Sequence, residues 1–395
     1  MILRKNMKNK IIIKQIVFLI KKALKKGPKG LHDPLFIGNE KKYLTDCITT
    51  GYVSSVGKYV KMFEKKIANF TKTKYAVATV TGTSALHLVL KFYNLTFKDE
   101  VLIPSLTYIA TATVVKYCDA HPNFVDVESD TLGIDPEKLE KYLQSTCKKV
   151  GVKTYNKKTG RRIKALIAVH LYGFPGKLFR IKKICKKYNI TFIEDAAEAL
   201  GSFYKNKHVG TFGDFGCFSF YPTKILGAYG DGGFITTNSL KMFQIIKRLR
   251  FYGIEQNNKK NKFNNIYYSN EHGLNSRLDE IHSSILNIKI KQVKSFIQKR
   301  RKLANLYTKE LSDTSLVLPK EKKNCRHVYH LYTVYHPMRD RILKELSNKK
   351  ININIYYSYP IYKMKGYLSK KKFDLKITDK MCKGIFSLPL YPELK

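Results

Sequence analysis

The sequence predicts an α/β protein: a mostly parallel sheet covered on both faces, followed by a smaller α+β region. Three observations carry this expectation. From about residue 75, short apolar runs alternate with amphipathic helical stretches. Several of the apolar runs end on proline, glycine or a carboxylate, the punctuation of strand ends leading into turns. Near Leu274 the alternation gives way to one long helical stretch and then isolated strand signals.

Taken in order, Tyr75–Thr79 reads as a strand and Ser84–Phe92 as a helix. Glu100–Ile103 is a strand stopped by Pro104, Ala110–Tyr117 a helix and Asn123–Val127 a strand. Asp135-Pro136 opens a helix to about Ser145, with proline in the first turn. The polar stretch 152–162 reads as a loop or hairpin insertion. Ala165–Val169 is a strand, Phe179–Tyr188 a helix, and Ile190–Ile193 a strand running into Glu194-Asp195. Asn257–Asn265 is an Asn/Lys-rich insertion. The second region is expected to hold a helix from Leu274 to about Leu306 and strands at Val328–Val334 and Ile351–Ile355. The division is a basic extension at 1–30, a large domain at 31–265 and a small domain at 266–395.

Composition narrows the function classes. The chain has 395 residues, is 44% hydrophobic, and carries 74 Lys+Arg against 30 Asp+Glu, a formal charge of +44. It can bury a sizeable core, which excludes wholesale disorder. The longest apolar run, Ile11–Ile20, contains Lys14 and is too short to span a bilayer. Residues 1–30 read as a packed or frayed extension in preference to a helix lying on a membrane surface. The seven cysteines are scattered and form no CxxC, which points to a reducing cytoplasm and away from a metal or disulfide framework. Lysines are spread along the whole length, without a helix-turn-helix or an aromatic-interleaved basic patch. That distribution argues for a solvated basic surface and against nucleic acid as partner.

Four segments carry chemistry. In Gly216–Lys224 an apolar strand ends at Ser219, with Lys224 five residues on, before a glycine-rich turn. A lysine at a strand's carboxyl end is either a desolvated nucleophilic amine or a structural or phosphate-binding cation. In Glu194–Ala199, Asp195 follows a strand directly. It suits either a cationic ring nitrogen or a helix N-cap, with Glu198 completing a capping box. Thr81–His87 passes from a strand through Gly82 into a helix. Gly82, Thr83 and Ser84 there form a phosphate cradle or an ordinary cap. In Pro104–Thr111, Tyr108 either stacks on a planar ligand or packs. All four fall at carboxyl ends of one sheet, where ligands of such sheets bind. A lysine, a carboxylate, a phosphate cradle and an aromatic ring together are what pyridoxal phosphate requires.

The ordered motifs Thr81–His87, Pro104–Ala112, Val169–Gly173, Ile193–Gly201, Gly213–Lys224, Gly230–Thr236 and Gly273–Leu278 resemble those of the DegT-type sugar aminotransferases. The resemblance covers about residues 31–390 and implies a fold-type I pyridoxal-phosphate enzyme. Leu31–Pro34, Thr50–Gly57 and the insertion ending Lys158–Lys164 look like the LegC-like subgroup. That subgroup aminates C4 of a UDP-linked 4-keto-6-deoxy-N-acetylhexosamine, with glutamate as donor, for surface glycans. The same chemistry on a GDP-4-keto-6-deoxyhexose is the neighbouring alternative. The resemblance further implies that Lys224 carries the cofactor and moves the proton, and that Asp195 holds the ring nitrogen protonated. Glu198 would lie near the ring oxygen, and Gly82, Thr83 and Ser219 would bind phosphate. Tyr108 would stack on the ring, and Asn275 would reach the neighbouring subunit's phosphate site in a homodimer. Lys224 favours transamination over the family's dehydratases, which carry histidine there. The chain departs from its relatives at Tyr356, at Phe220–Thr223 and in stopping at Lys395.

Overall fold

The computed structural model describes residues 2–24, 38–254, 268, 269, 271–351, 353–369 and 373–394, with side chains from residue 10 onward except that of Ala23. The motif at Leu31–Pro34 and the insertion at Asn257–Asn265 lie outside the described residues. In chain order the elements begin with α1 (Ile2–Ala23), α2 (Glu40–Thr50), α3 (Lys58–Thr71), β1 (Tyr75–Thr79) and α4 (Gly82–Phe92). Then come β2 (Asp99–Pro104), α5 (Ala110–Tyr117), β3 (His121–Val125), α6 (Pro136–Thr146), β4 (Cys147–Val150) and β5 (Lys153–Asn156). They continue with β6 (Arg162–Val169), α7 (Leu178–Lys187), β7 (Thr191–Asp195), β8 (Phe203–Tyr204), β9 (Lys207–His208), β10 (Phe215–Ser219) and β11 (Gly233–Thr237). The remainder is α8 (Leu240–Leu249), α9 (Glu280–Lys289), α10 (Val293–Glu310), β12 (Cys325–Arg326), β13 (Tyr332–Tyr335), α11 (Arg339–Asn348), α12 (Lys376–Gly384) and β14 (Ile385–Leu388).

The main sheet runs β1-β11-β10-β7-β6-β2-β3. The pairs β10/β7, β7/β6, β6/β2 and β2/β3 are parallel, and β11 alone runs against its neighbours β1 and β10. The carboxyl ends of β1, β2, β6, β7 and β10 therefore share one edge. Alternating side chains supply the two faces. On one side Leu166, Phe192, Phe218 and Phe234 pack with Phe63 of α3, Ile181 of α7 and Leu286 of α9. On the other Ile103, Ile167, Ile193 and Phe215 pack with Val89 of α4, Val115 of α5 and Ile246 of α8. The expected insertion is a hairpin, β4 and β5, joined to the sheet through β6.

The second region differs from the pattern-based expectation in three places. The long helix starts only at Glu280, where Asp279 caps it by accepting from the His282 N–H at 2.7 Å, and it breaks into a tighter turn at Ile290–Gln292. The Val328–Val334 strand contracts to Tyr332–Tyr335. Among the described residues of 351–355, Asn354 forms one bridge, to Ser387, while β13 takes β14 as its partner. The two strand differences have one cause: strand pairing there is decided by a segment some fifty residues away, not by local apolar periodicity.

Helix α1 turns Ile13, Ile16, Val17 and Ile20 into a core shared with Tyr307, Ile342, Leu346 and Phe386. Each such side chain contributes roughly 1.5–3 kcal/mol on burial. The apolar face that a membrane-surface reading needs is thus spent on the chain's own interior. No helix among the described residues is long and apolar enough to cross a membrane.

Candidate active site

A cavity of about 510 Å³ opens at the carboxyl edge of the sheet. Gly82, Thr83, Tyr108, Asp195, Glu198, Ser219 and Lys224, seven of the nine residues anticipated from sequence, line it. They arrive from the ends of four strands, β1, β2, β7 and β10, whose carboxyl ends share that edge.

The first wall is the start of α4. Thr81, not Thr83 or Ser84, is the cap: its hydroxyl accepts from the Ser84 N–H at 2.9 Å. Ser84 is thereby used inside the turn, away from the cavity. Gly82 is required by close approach, because a Cβ there would sit 2.8 Å from Cβ of Ser219. The helix start is pressed against the end of β10, so first-turn N–H groups and the Ser219 hydroxyl share one small space. The helix dipole adds positive potential to it. This is a cradle for an anion such as phosphate.

The second wall is the end of β7. Asp195 is 6% exposed. Its Oδ2 accepts from the Thr111 hydroxyl at 2.8 Å and its Oδ1 from the Ala197 N–H at 3.2 Å. Burial pushes its carboxyl above the usual range, and the two hydrogen bonds offset this only in part. A buried anion of that kind is complemented by a cation placed against it. The capping-box reading fails here, since no helix follows Asp195.

Glu198 serves another purpose. Its Oε1 accepts from Lys224 Nζ at 3.1 Å and its Oε2 from the Tyr172 N–H at 2.7 Å. Lys224 reaches it from the turn after β10, and the amine's side chain is only 18% exposed. His330 Nε2 lies 3.8 Å from the same Glu198 oxygen. Tyr108 projects at the mouth, its ring centroid 6.1 Å from that of Tyr357. The cavity thus combines an anion cradle, a buried carboxylate, an amine and an aromatic ring, which fits a flat ring carrying a phosphate and a basic nitrogen.

Asn275 stands apart. It is exposed, its Oδ1 accepting from Arg277 Nε at 3.1 Å, and it does not line the cavity. Sequence reasoning also missed residues. Thr111 lies one turn past Tyr108 and was readable only as part of that motif. His330, Tyr356 and Tyr357 enter from the C-terminal region; of these only Tyr356 stood out in the sequence, as a departure from the relatives, and nothing local ties the three to the sheet edge.

A profile of the DegT/DnrJ/EryC1/StrS aminotransferase family matches residues 36–395. The dTDP-3-amino-3,6-dideoxy-alpha-D-galactopyranose transaminase of Aneurinibacillus thermoaerophilus is 36% identical over 337 residues, 85% of this chain and 86% of its own. The GDP-perosamine synthase of Escherichia coli O157:H7 is 32% identical over 368 residues, covering 92% and 93%. The crystal structure of a DegT DnrJ EryC1 StrS aminotransferase from Brucella abortus superposes with a TM-score of 0.83 at 29% identity, covering 90% of this chain and 91% of the other.

Proposed function

The chain belongs to the DegT/DnrJ/EryC1/StrS aminotransferase family, and we propose that it moves an amino group from glutamate to C4 of a UDP-linked 4-keto-6-deoxy-N-acetylhexosamine. As a member it is a pyridoxal-phosphate-dependent nucleotide-sugar aminotransferase of fold-type I architecture. The observation that carries the site assignment is the convergence of Lys224, Asp195 and the Gly82–Ser219 cradle on one cavity.

In this reading Gly82, Thr83 and Ser219 hold the cofactor's phosphate, Tyr108 covers its ring and Asp195 holds the proton on its ring nitrogen. Bound there, pyridoxal phosphate supplies the carbonyl carbon that receives and hands on the amino group, and a ring able to take up the electrons of a broken C–H bond. Lys224 anchors the cofactor. With the cofactor bound, the free Nζ of Lys224 would be the base that takes a proton from the substrate carbon and returns one. Glu198, fixed through the Tyr172 N–H, gives the released amine a partner within the site. The active unit is a homodimer in which Asn275 reaches the second copy's phosphate site; its exposure outside its own cavity supports this. The seven cysteines, none in a disulfide, support a cytoplasmic setting.

The UDP-sugar reading rests on the resemblance of Thr50–Gly57 and the Lys158–Lys164 insertion to the LegC-like pattern. The likeness to a GDP-perosamine synthase supports the GDP-4-keto-6-deoxyhexose alternative. Turnover with glutamate and each keto sugar, on UDP, GDP and dTDP, separates them. Preference for the UDP-N-acetylhexosamine is expected; turnover of the GDP or dTDP sugar alone refutes that assignment while leaving the aminotransferase intact.

A further inference from the structure

We infer that Thr111 is a positioning residue, its hydroxyl keeping Asp195 ionised and aimed at the cofactor's ring nitrogen. The inference rests on the site assignment above. Thr111 is fully buried on the first turn of α5, and its hydroxyl lies 2.8 Å from Asp195 Oδ2. A carboxylate can only accept, so the one hydroxyl hydrogen is committed to Asp195. Behind it, the buried Thr107 hydroxyl lies 3.4 Å from that of Thr111, placed to donate into the same line.

The same turn sets Tyr108: the Thr111 N–H donates to the Tyr108 carbonyl at 3.3 Å. One short helix start therefore fixes both the ring that covers the cofactor and the donor that holds its counter-charge. Around Asp195, burial is the largest influence and works against the anion; the Thr111 hydroxyl is the strongest group working for it, ahead of the Ala197 N–H. Glu198 and Lys224, the charged groups facing it, act in opposite directions. Without the hydroxyl, Asp195 becomes more basic and holds the proton on the ring nitrogen less firmly, drawing it toward the carboxylate.

The test loads wild type, Thr111→Val, Thr111→Ser and Asp195→Asn with pyridoxal phosphate labelled with ¹⁵N in the ring, and reads the nitrogen shift by NMR together with kcat and KM. Wild type and Thr111→Ser are expected to show a protonated ring nitrogen. Thr111→Val should move the shift toward the unprotonated value and lower kcat roughly tenfold or more, the scale of a hydrogen bond to a charged group, with KM for the nucleotide sugar little changed. If Thr111→Val does not fold, Thr111→Ala gives the same reading. A wild-type shift and kcat in the hydroxyl-less variant overturns the role of Thr111. An unmoved shift in Asp195→Asn overturns instead the placement of Asp195 against the ring.

Discussion

Strand β7 ends in two buried carboxylates that serve opposite sides of the sheet. Glu194, on the packed side, accepts from the N–H groups of Gly210, Phe212 and Gly213 at 2.6–2.7 Å and contacts His170 Nε2 at 2.9 Å. Burial alone raises its pKa, but His170 and these backbone donors outweigh it and hold the carboxyl below its ordinary value. Asp195, on the cavity side, has one hydroxyl and one N–H, and burial wins. Two adjacent acids of similar exposure thus differ in how fully their charge is answered by the protein. The answered one fastens the loop through residues 208–213. The under-answered one is left with capacity for a ligand's cation, which is how a functional carboxylate differs physically from a structural one.

That contrast is broken most severely at Lys224. Lys224→Ala should keep the fold and lose turnover by at least about 10³-fold, the range for removing a positioned proton-transfer group; steady-state kinetics beside a circular-dichroism spectrum checks both halves. Asp195→Asn comes next: a fall of about 10²–10³-fold in kcat, typical of a lost electrostatic stabiliser, with an unfolding midpoint close to wild type. Near-native rates in either variant would remove the residue from the mechanism. Glu194→Gln should show the reverse balance, because the amide cannot accept from all the buried N–H groups the carboxylate answers, and a buried donor left unsatisfied costs about 1–3 kcal/mol, read by denaturant unfolding.

A smaller effect sharpens the comparison by pH. The folded pKa of Glu194 is depressed, so its contribution is complete above the unfolded value of about 4.3 and is lost as pH falls through the folded value. Acid unfolding of wild type should therefore be steeper than that of Glu194→Gln between the unfolded and the folded value; parallel curves would mean the carboxylate is not what the loop depends on.

Much of this was legible in the sequence, for identifiable reasons. Strand ends followed by glycine or a hydroxyl are local signals, and they located the Thr81–Ser84 turn, Ser219 and Lys224. The capping-box alternative at Asp195 and Glu198 is equally local, yet the structure does not use it. Tertiary partners, Lys224 and the Tyr172 N–H, claim Glu198, and the chain turns in place of a helix. The Thr111–Asp195 bond joins residues 84 apart, and β13 pairs with a strand about fifty residues on. No window of sequence contains both members of such pairs. The C-terminal strands were misjudged for that reason, while the strands of the large sheet that stand on local apolar runs were not.

A visible absorbance spectrum of the purified protein, taken before and after glutamate, reads the Lys224 assignment itself. The account predicts a yellow species with pyridoxal phosphate bound through Lys224, shifting to the pyridoxamine form on adding the donor. A protein that stays colourless with added pyridoxal phosphate would contradict it.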